Sequence, residues 1–101
     1  MNKYNIEKNF TLLTDFYEFT MANGYFQEGI GEKIVYFEMF FRSVPDDGTY
    51  AIIAGLEQLI EYFEDLHFAE DDIEFLRTKK IFSEEFLDYL RKFEFKCDVW
   101  A

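Results

Sequence analysis

The sequence predicts an α+β fold for residues 1–101: a β-hairpin, four helices and a C-terminal strand. Three observations lead to it. Apolar residues alternate from Lys33 to Arg42 with a period of two, the pattern of a strand. Other stretches repeat their apolar residues at intervals of three and four, the spacing of an amphipathic helix. A Pro- and Gly-containing turn, Ser43 to Gly48, separates the two strand-like runs.

Residues 1–10, MNKYNIEKNF, form a polar lead-in. The first helix starts near Thr14 or Asp15, where Asp15 followed by Glu18 reads as a capping box. It ends at Asn23-Gly24 or runs on to Gly29 and Gly31. Tyr25 and Phe26 keep the period and favour the later stop. Leu12, Phe16, Phe19 and Phe26 form one apolar stripe, and Tyr17, Met21 and Tyr25 form a second beside it. Two stripes are more apolar face than one packing partner needs. One of them is expected to bury against something else.

In the strand Lys33–Arg42, Val35, Phe37, Met39 and Phe41 share one face, and Tyr36, Glu38, Phe40 and Arg42 the other. Pro45 fixes its own φ in the turn, and Gly48 is expected at positive φ. A second strand, Thr49–Ala54, returns antiparallel to complete the hairpin. Gly55 breaks it and opens a helix from Leu56 to Leu66, with Leu56, Leu59, Ile60, Phe63 and Leu66 as a core stripe. A third helix spans about Glu70 to Arg77, acids in its first turn and Ile73 and Leu76 inward. Ser83 caps a fourth, with Phe86, Leu87, Leu90 and Phe93 as its stripe. A last strand alternates Phe93, Phe95, Cys97 and Val99 with Glu94, Lys96, Asp98 and Trp100. It stops at Ala101 without turn or polar tail, the look of a polypeptide cut in mid-element.

Composition sets the function classes. Fourteen Phe in 101 residues, with 22% aromatic residues, speak for a large core or an interface, and the short chain tilts this toward an interface. A formal net charge of −11 argues against nucleic-acid binding and against anionic membranes. There is no signal-peptide run and no stretch of ~20 apolar residues, so a soluble cytoplasmic protein is expected. Cys97 is the single cysteine, which precludes an intrachain disulfide and suits a packed small hydrophobe.

The usual catalytic constellations are missing. His67 has no second His or Cys near it, so a metal site is not expected, and the end of a helix suits it as a surface or C-capping residue. Gly29-Ile30-Gly31 lacks the spacing of a phosphate loop. Glu70-Asp71-Asp72 and Glu84-Glu85 read as helix-start acids. Glu38 and Arg42 either pair with each other or leave Arg42 free for an anion such as a phosphate. Tyr17 is either a core aromatic or a flat ring offered to a planar ligand or a neighbouring subunit. Asp15 is then either a helix cap or a residue that helps fix the tyrosine.

Leu12-Leu13-Thr14-Asp15-Phe16-Tyr17-Glu18-Phe19-Thr20-Met21-Ala22-Asn23-Gly24-Tyr25 closely resembles the N-terminal signature of nicotinate phosphoribosyltransferase, LLTD-x-Y-x-x-TM-A-x-GY. The likeness continues through Phe37-Glu38-Met39-Phe40-Phe41-Arg42 with Pro45, through Tyr50-Ala51 and Ala54-Gly55-Leu56, and through Phe86-Leu87-Asp88-Tyr89-Leu90 to Asp98-Val99-Trp100-Ala101. The resemblance implies a reaction in which nicotinate displaces pyrophosphate from phosphoribosyl pyrophosphate, giving nicotinate mononucleotide for NAD synthesis, with hydrolysis of ATP (and Mg) driving it. It also implies that residues 1–101 are an incomplete N-terminal α/β domain of a homodimer, ending before a barrel-like α/β domain. In such enzymes the tyrosine matching Tyr17 stacks on the pyridine ring in the partner's site, and the arginine matching Arg42 lies near the phosphoribosyl phosphates. The substrate-binding candidates are therefore Tyr17, Asp15 and Arg42. No catalytic residue is assigned, because the phosphorylated histidine belongs to the barrel and His67 does not match it. The chain alone is expected to be inactive. The rival reading is a stand-alone α+β dimerisation or binding module without catalysis.

Overall fold

A computed structural model describes residues 9–100. Its elements are α1 (Phe16–Gln27), α2 (Leu56–Glu64), α3 (Glu70–Thr78) and α4 (Glu84–Arg91), with a 3-10 turn at Pro45–Asp47. Among the described residues there is no strand, so the expected α+β class, its hairpin and its C-terminal strand are corrected to helices joined by extended chain. Alternation selects side chains suited to a pleat, but a strand exists only when a neighbour completes its ladder. No backbone hydrogen bond joins residues 33–42 to 49–54 or to 93–100. Both faces of the first run lie open, with Tyr36 94% and Phe37 90% exposed.

The core is helical and small. It consists of Phe19 from α1, Ile73 and Leu76 from α3, and Phe86, Leu87 and Leu90 from α4, flanked by Leu12, Ala22, Phe26, Phe68, Phe82 and Tyr89. The helices make it because their apolar residues recur at three and four and so share one face. α3 and α4 pack together as a helical hairpin, and α1 packs on α4. Arg77 near the end of α3 forks onto both carboxylate oxygens of Glu84 at the start of α4, at 2.9 Å each. Arg91 at the end of α4 forks onto Glu70 at the start of α3, at 2.6 and 3.2 Å. These exposed pairs fix register more than they add stability.

The helix ends follow local rules. Gly29 at φ 75° lets Ile30 N–H reach the Tyr25 carbonyl and Gly29 N–H the Phe26 carbonyl, a Schellman stop that confirms the later end of α1. Asp15 is the N-cap residue, yet its side chain makes no capping bond, so the expected capping box is not formed. Glu18 N–H instead donates to the Asp15 backbone carbonyl at 3.0 Å. Ser83 caps α4 as expected, accepting from Phe86 N–H at 3.1 Å, and its hydroxyl also accepts from Gln27 Nε2 at 2.7 Å. Ser83→Ala should therefore lower stability by ~1 kcal/mol, read as a lower urea midpoint with an unchanged slope.

Three further expectations are corrected. The turn after Arg42 uses Asp46 and Asp47 at positive φ, while Gly48 stays at φ −77°. Short polar side chains tolerate that region, so Asp can replace Gly there. The stripe of α2 is outside the core. α2 packs on none of the other helices, Leu56 and Ile60 are exposed, and Phe63 stacks on Phe95 at 4.3 Å between ring centroids. Cys97 is exposed rather than packed, because it lies on the wall of an open groove shared with Ile60, Phe63 and Phe95 that nothing among the described residues fills.

The described chain is open in shape. Its Cα radius of gyration is 16.5 Å, against ~13 Å for a compact domain of this length. Its accessible surface is 9341 Å², against ~6,100 Å² for a compact monomer of this mass. The difference is the size of an obligate interface.

Candidate functional site

α1 lies on the core through Phe19, Ala22 and Phe26, so helical geometry turns its opposite side outward. Tyr17 is 56% exposed, Met21 44% and Tyr25 47%. This is the second stripe that the sequence marked, and it is uncovered. The core reading of Tyr17 is thus set aside by its exposure.

Asp15 and Tyr17 come together at the start of α1. The negative charges of Asp15 and then Glu18 raise the pKa of the Tyr17 phenol above its usual value. A phenol is already neutral across ordinary pH and the shift keeps to that side, so the ring presents a flat, uncharged face. Among the described residues no thiol or imidazole is hydrogen-bonded to the hydroxyl, and the local chemistry is that of a stacking platform rather than of a nucleophile. Two carboxylates beside it disfavour a bound anion, so an anionic aromatic ligand needs its countercharge from elsewhere.

Arg42 is exposed in the extended run before the Pro45 turn. It forms no hydrogen bond or ion pair with Asp15 or Tyr17, and none with Glu38; the alternative of a Glu38–Arg42 pair is not formed. Its guanidinium has no ion-pair partner among the described residues. The predicted candidates thus separate into one pair on α1 and one isolated cation. Neither of two open grooves contains any of them. One, about 430 Å³, is lined by Ile60, Phe63, Glu64, Phe95, Cys97 and Val99. The other, about 220 Å³, is lined by Asn9, Ala69, Asp71 and Asp72. His67 sits at the surface, its Nδ1 2.7 Å from the Asp65 carbonyl. Among the described residues, no group of three or more His, Cys, Asp or Glu side chains could hold a metal ion. No helix among them is long and apolar enough to cross a membrane.

Sequence reasoning missed the polar contacts that seat α1. The Thr11 hydroxyl donates to the His67 carbonyl at 2.6 Å, and Asn9 Nδ2 donates to Asp72 Oδ2 at 2.7 Å. These partners lie 56 and 63 residues apart in the chain. A lone Thr just past the polar lead-in carries no periodic signal that would have revealed them.

Comparison with known proteins bears on this surface. The profile of the nicotinate phosphoribosyltransferase (NAPRTase) N-terminal domain matches residues 12–101. The chain is 43% identical over 90 residues to nicotinate phosphoribosyltransferase pncB2 of Mycobacterium tuberculosis, covering 89% of this chain and 19% of that protein. It is 40% identical over 81 residues to nicotinate phosphoribosyltransferase of Bacillus subtilis, covering 80% of this chain and 16% of the relative. It is also 40% identical over 81 residues to nicotinate phosphoribosyltransferase 1 of Arabidopsis thaliana, covering 79% and 14%. The match thus spans less than a fifth of the length of each of these relatives.

Proposed function

The chain belongs to the nicotinate phosphoribosyltransferase N-terminal domain family, and we propose that it serves as the N-terminal part of a longer enzyme making nicotinate mononucleotide. The pyridine nitrogen of nicotinate attacks C1 of phosphoribosyl pyrophosphate, the N–C1 bond forms, and pyrophosphate leaves with the electrons of the broken C1–O bond. ATP hydrolysis drives the step in the cytoplasm. The observation that carries this reading is the outward stripe of α1, where the exposed Tyr17 offers a neutral ring at the position of the family signature.

Each residue then has a bounded role. Tyr17 stacks on the pyridine ring in the site of a second subunit of a homodimer. Asp15 stands beside it and, with Glu18, moves the phenol pKa above its ordinary value. Arg42, exposed and without an ion-pair partner among the described residues, meets the phosphoribosyl phosphates, and its planar fork suits them. ATP and Mg are assigned to the rest of the longer enzyme, and no residue of this chain is given a role in ATP hydrolysis.

The same reading accounts for the open shape. A contiguous apolar run this exposed marks an interaction surface. Ile34, Phe37, Met39, Phe40, Ile52 and Ile53 are all more than three-quarters exposed. Their occupant is the remainder of the longer enzyme, which the relatives carry as more than four-fifths of their length.

The test is direct. The full-length enzyme should form nicotinate mononucleotide from nicotinate, phosphoribosyl pyrophosphate and ATP, and residues 1–101 alone should form none. Absence of product from folded full-length protein contradicts the reading and favours a binding module.

A further inference from the structure

We infer that Thr11 is a positioning residue for the Tyr17 ring, acting through a polar latch that fixes the start of α1 on the N-terminal end of α3. The inference rests on the reading of Tyr17 as the ring that stacks on nicotinate.

Thr11 is the one buried polar residue among the described residues. A buried hydroxyl must find a partner, and this one donates to the His67 carbonyl at 2.6 Å. That carbonyl belongs to the segment leading into α3, which the Thr11 bond ties to the turn just before α1. Asn9 reinforces the tie from the neighbouring turn. Its Nδ2 donates to Asp72 Oδ2 at 2.7 Å, and its Oδ1 accepts from Thr11 N–H at 3.2 Å. Asp72 Oδ2 also accepts from Ala69 N–H at 2.9 Å, so the carboxylate that caps α3 is the one that holds Asn9.

Short hydrogen-bonded turns follow this anchorage up to the residue before Asp15, and α1 begins directly after it. Leu13 N–H donates to the Phe10 carbonyl at 2.9 Å and Thr14 N–H to the Leu12 carbonyl at 2.9 Å. Glu18 N–H then donates to the Asp15 carbonyl at 3.0 Å as α1 begins. The far end of α1 is held separately, by Gln27 on Ser83 and by Phe26 against Phe86 and Tyr89. α1 is therefore fixed at both ends, and the latch controls the end that carries Tyr17. Sites work when the supporting shell locks the contacting ring.

The experiment uses the full-length enzyme with Thr11→Val, Thr11→Ser, Tyr17→Ala and the Thr11→Val/Tyr17→Ala double variant. Thr11→Val should raise KM for nicotinate about 3- to 10-fold, the size of one net hydrogen bond, with kcat and the KM for phosphoribosyl pyrophosphate unchanged. Thr11→Ser, which keeps the hydroxyl, should restore the native KM. In the Tyr17→Ala background, Thr11→Val should add nothing further. An unchanged KM in Thr11→Val, or a rise that persists in full without Tyr17, overturns the latch. If Thr11→Val does not fold, Asn9→Ala is read in its place with the same expected pattern and the same contradiction. A Tyr17→Ala enzyme with native nicotinate KM defeats the stacking reading itself. A defect in Tyr17→Ala together with a silent Thr11→Val defeats the latch alone.

Discussion

Tyr17→Ala should lower kcat/KM for nicotinate in the full-length enzyme by about 5- to 150-fold, the equivalent of ~1–3 kcal/mol of lost stacking. The fold should survive, because the side chain is more than half exposed and contributes nothing to the core cluster. Tyr17→Phe should behave nearly as the native enzyme, since stacking uses the ring face and not the hydroxyl. Steady-state kinetics beside a thermal unfolding curve separate the outcomes. A Tyr17→Ala protein that loses activity only because it unfolds would return the residue to a structural role.

The second large effect concerns stability and depends on context. Leu87 is fully buried between α3 and α4. Leu87→Ala should cost about 2–5 kcal/mol, as a truncation that leaves a cavity does. The core of this chain is small, so its marginal stability leaves little reserve and the 101-residue chain should unfold. Phe37→Ala should act in the opposite way. Phe37 is 90% exposed, so in the 101-residue chain its loss should change stability by less than ~0.5 kcal/mol. In the full-length enzyme, with the apolar run covered, the same change should cost ~3–5 kcal/mol. Denaturant melts of both variants in both lengths check this. An equally small Phe37→Ala effect in the full-length enzyme would show that the run stays uncovered.

What was legible in the sequence follows from how local each feature is. The span of α1 to Gln27, its Gly29 stop, the Ser83 cap, and the inward Ile73, Leu76, Phe86, Leu87 and Leu90 depend on residues within a turn or two. Periodicity and capping chemistry report such features well. The hairpin and the C-terminal strand depend on pairing across many residues, and alternation states a suitability for pairing without supplying the neighbour. The stripe of α2 failed for the same reason. Its moment is clear, but nothing among the described residues covers Leu56 and Ile60.

The candidate site was legible in a similar proportion. The doubled stripe on α1 predicted an outward aromatic face, and Tyr17, Met21 and Tyr25 form one. Asp15 beside Tyr17 was marked as well, although its side chain perturbs the phenol and does not cap the helix. Thr11 and Asn9 were not visible, because their meaning lies in partners beyond the reach of any local pattern. Arg42 was singled out by its place on an aromatic face, and it is exposed without an ion-pair partner among the described residues.

The most direct measurement is the ring resonance of ¹³C-labelled Tyr17 in the full-length enzyme as nicotinate is added. A pyridine ring stacked on the phenol should shift that resonance saturably, with a midpoint matching nicotinate binding, while the same titration of residues 1–101 leaves it in place. A Tyr17 resonance that stays fixed while nicotinate saturates the full-length enzyme would contradict the assignment of the outward face of α1 to the substrate.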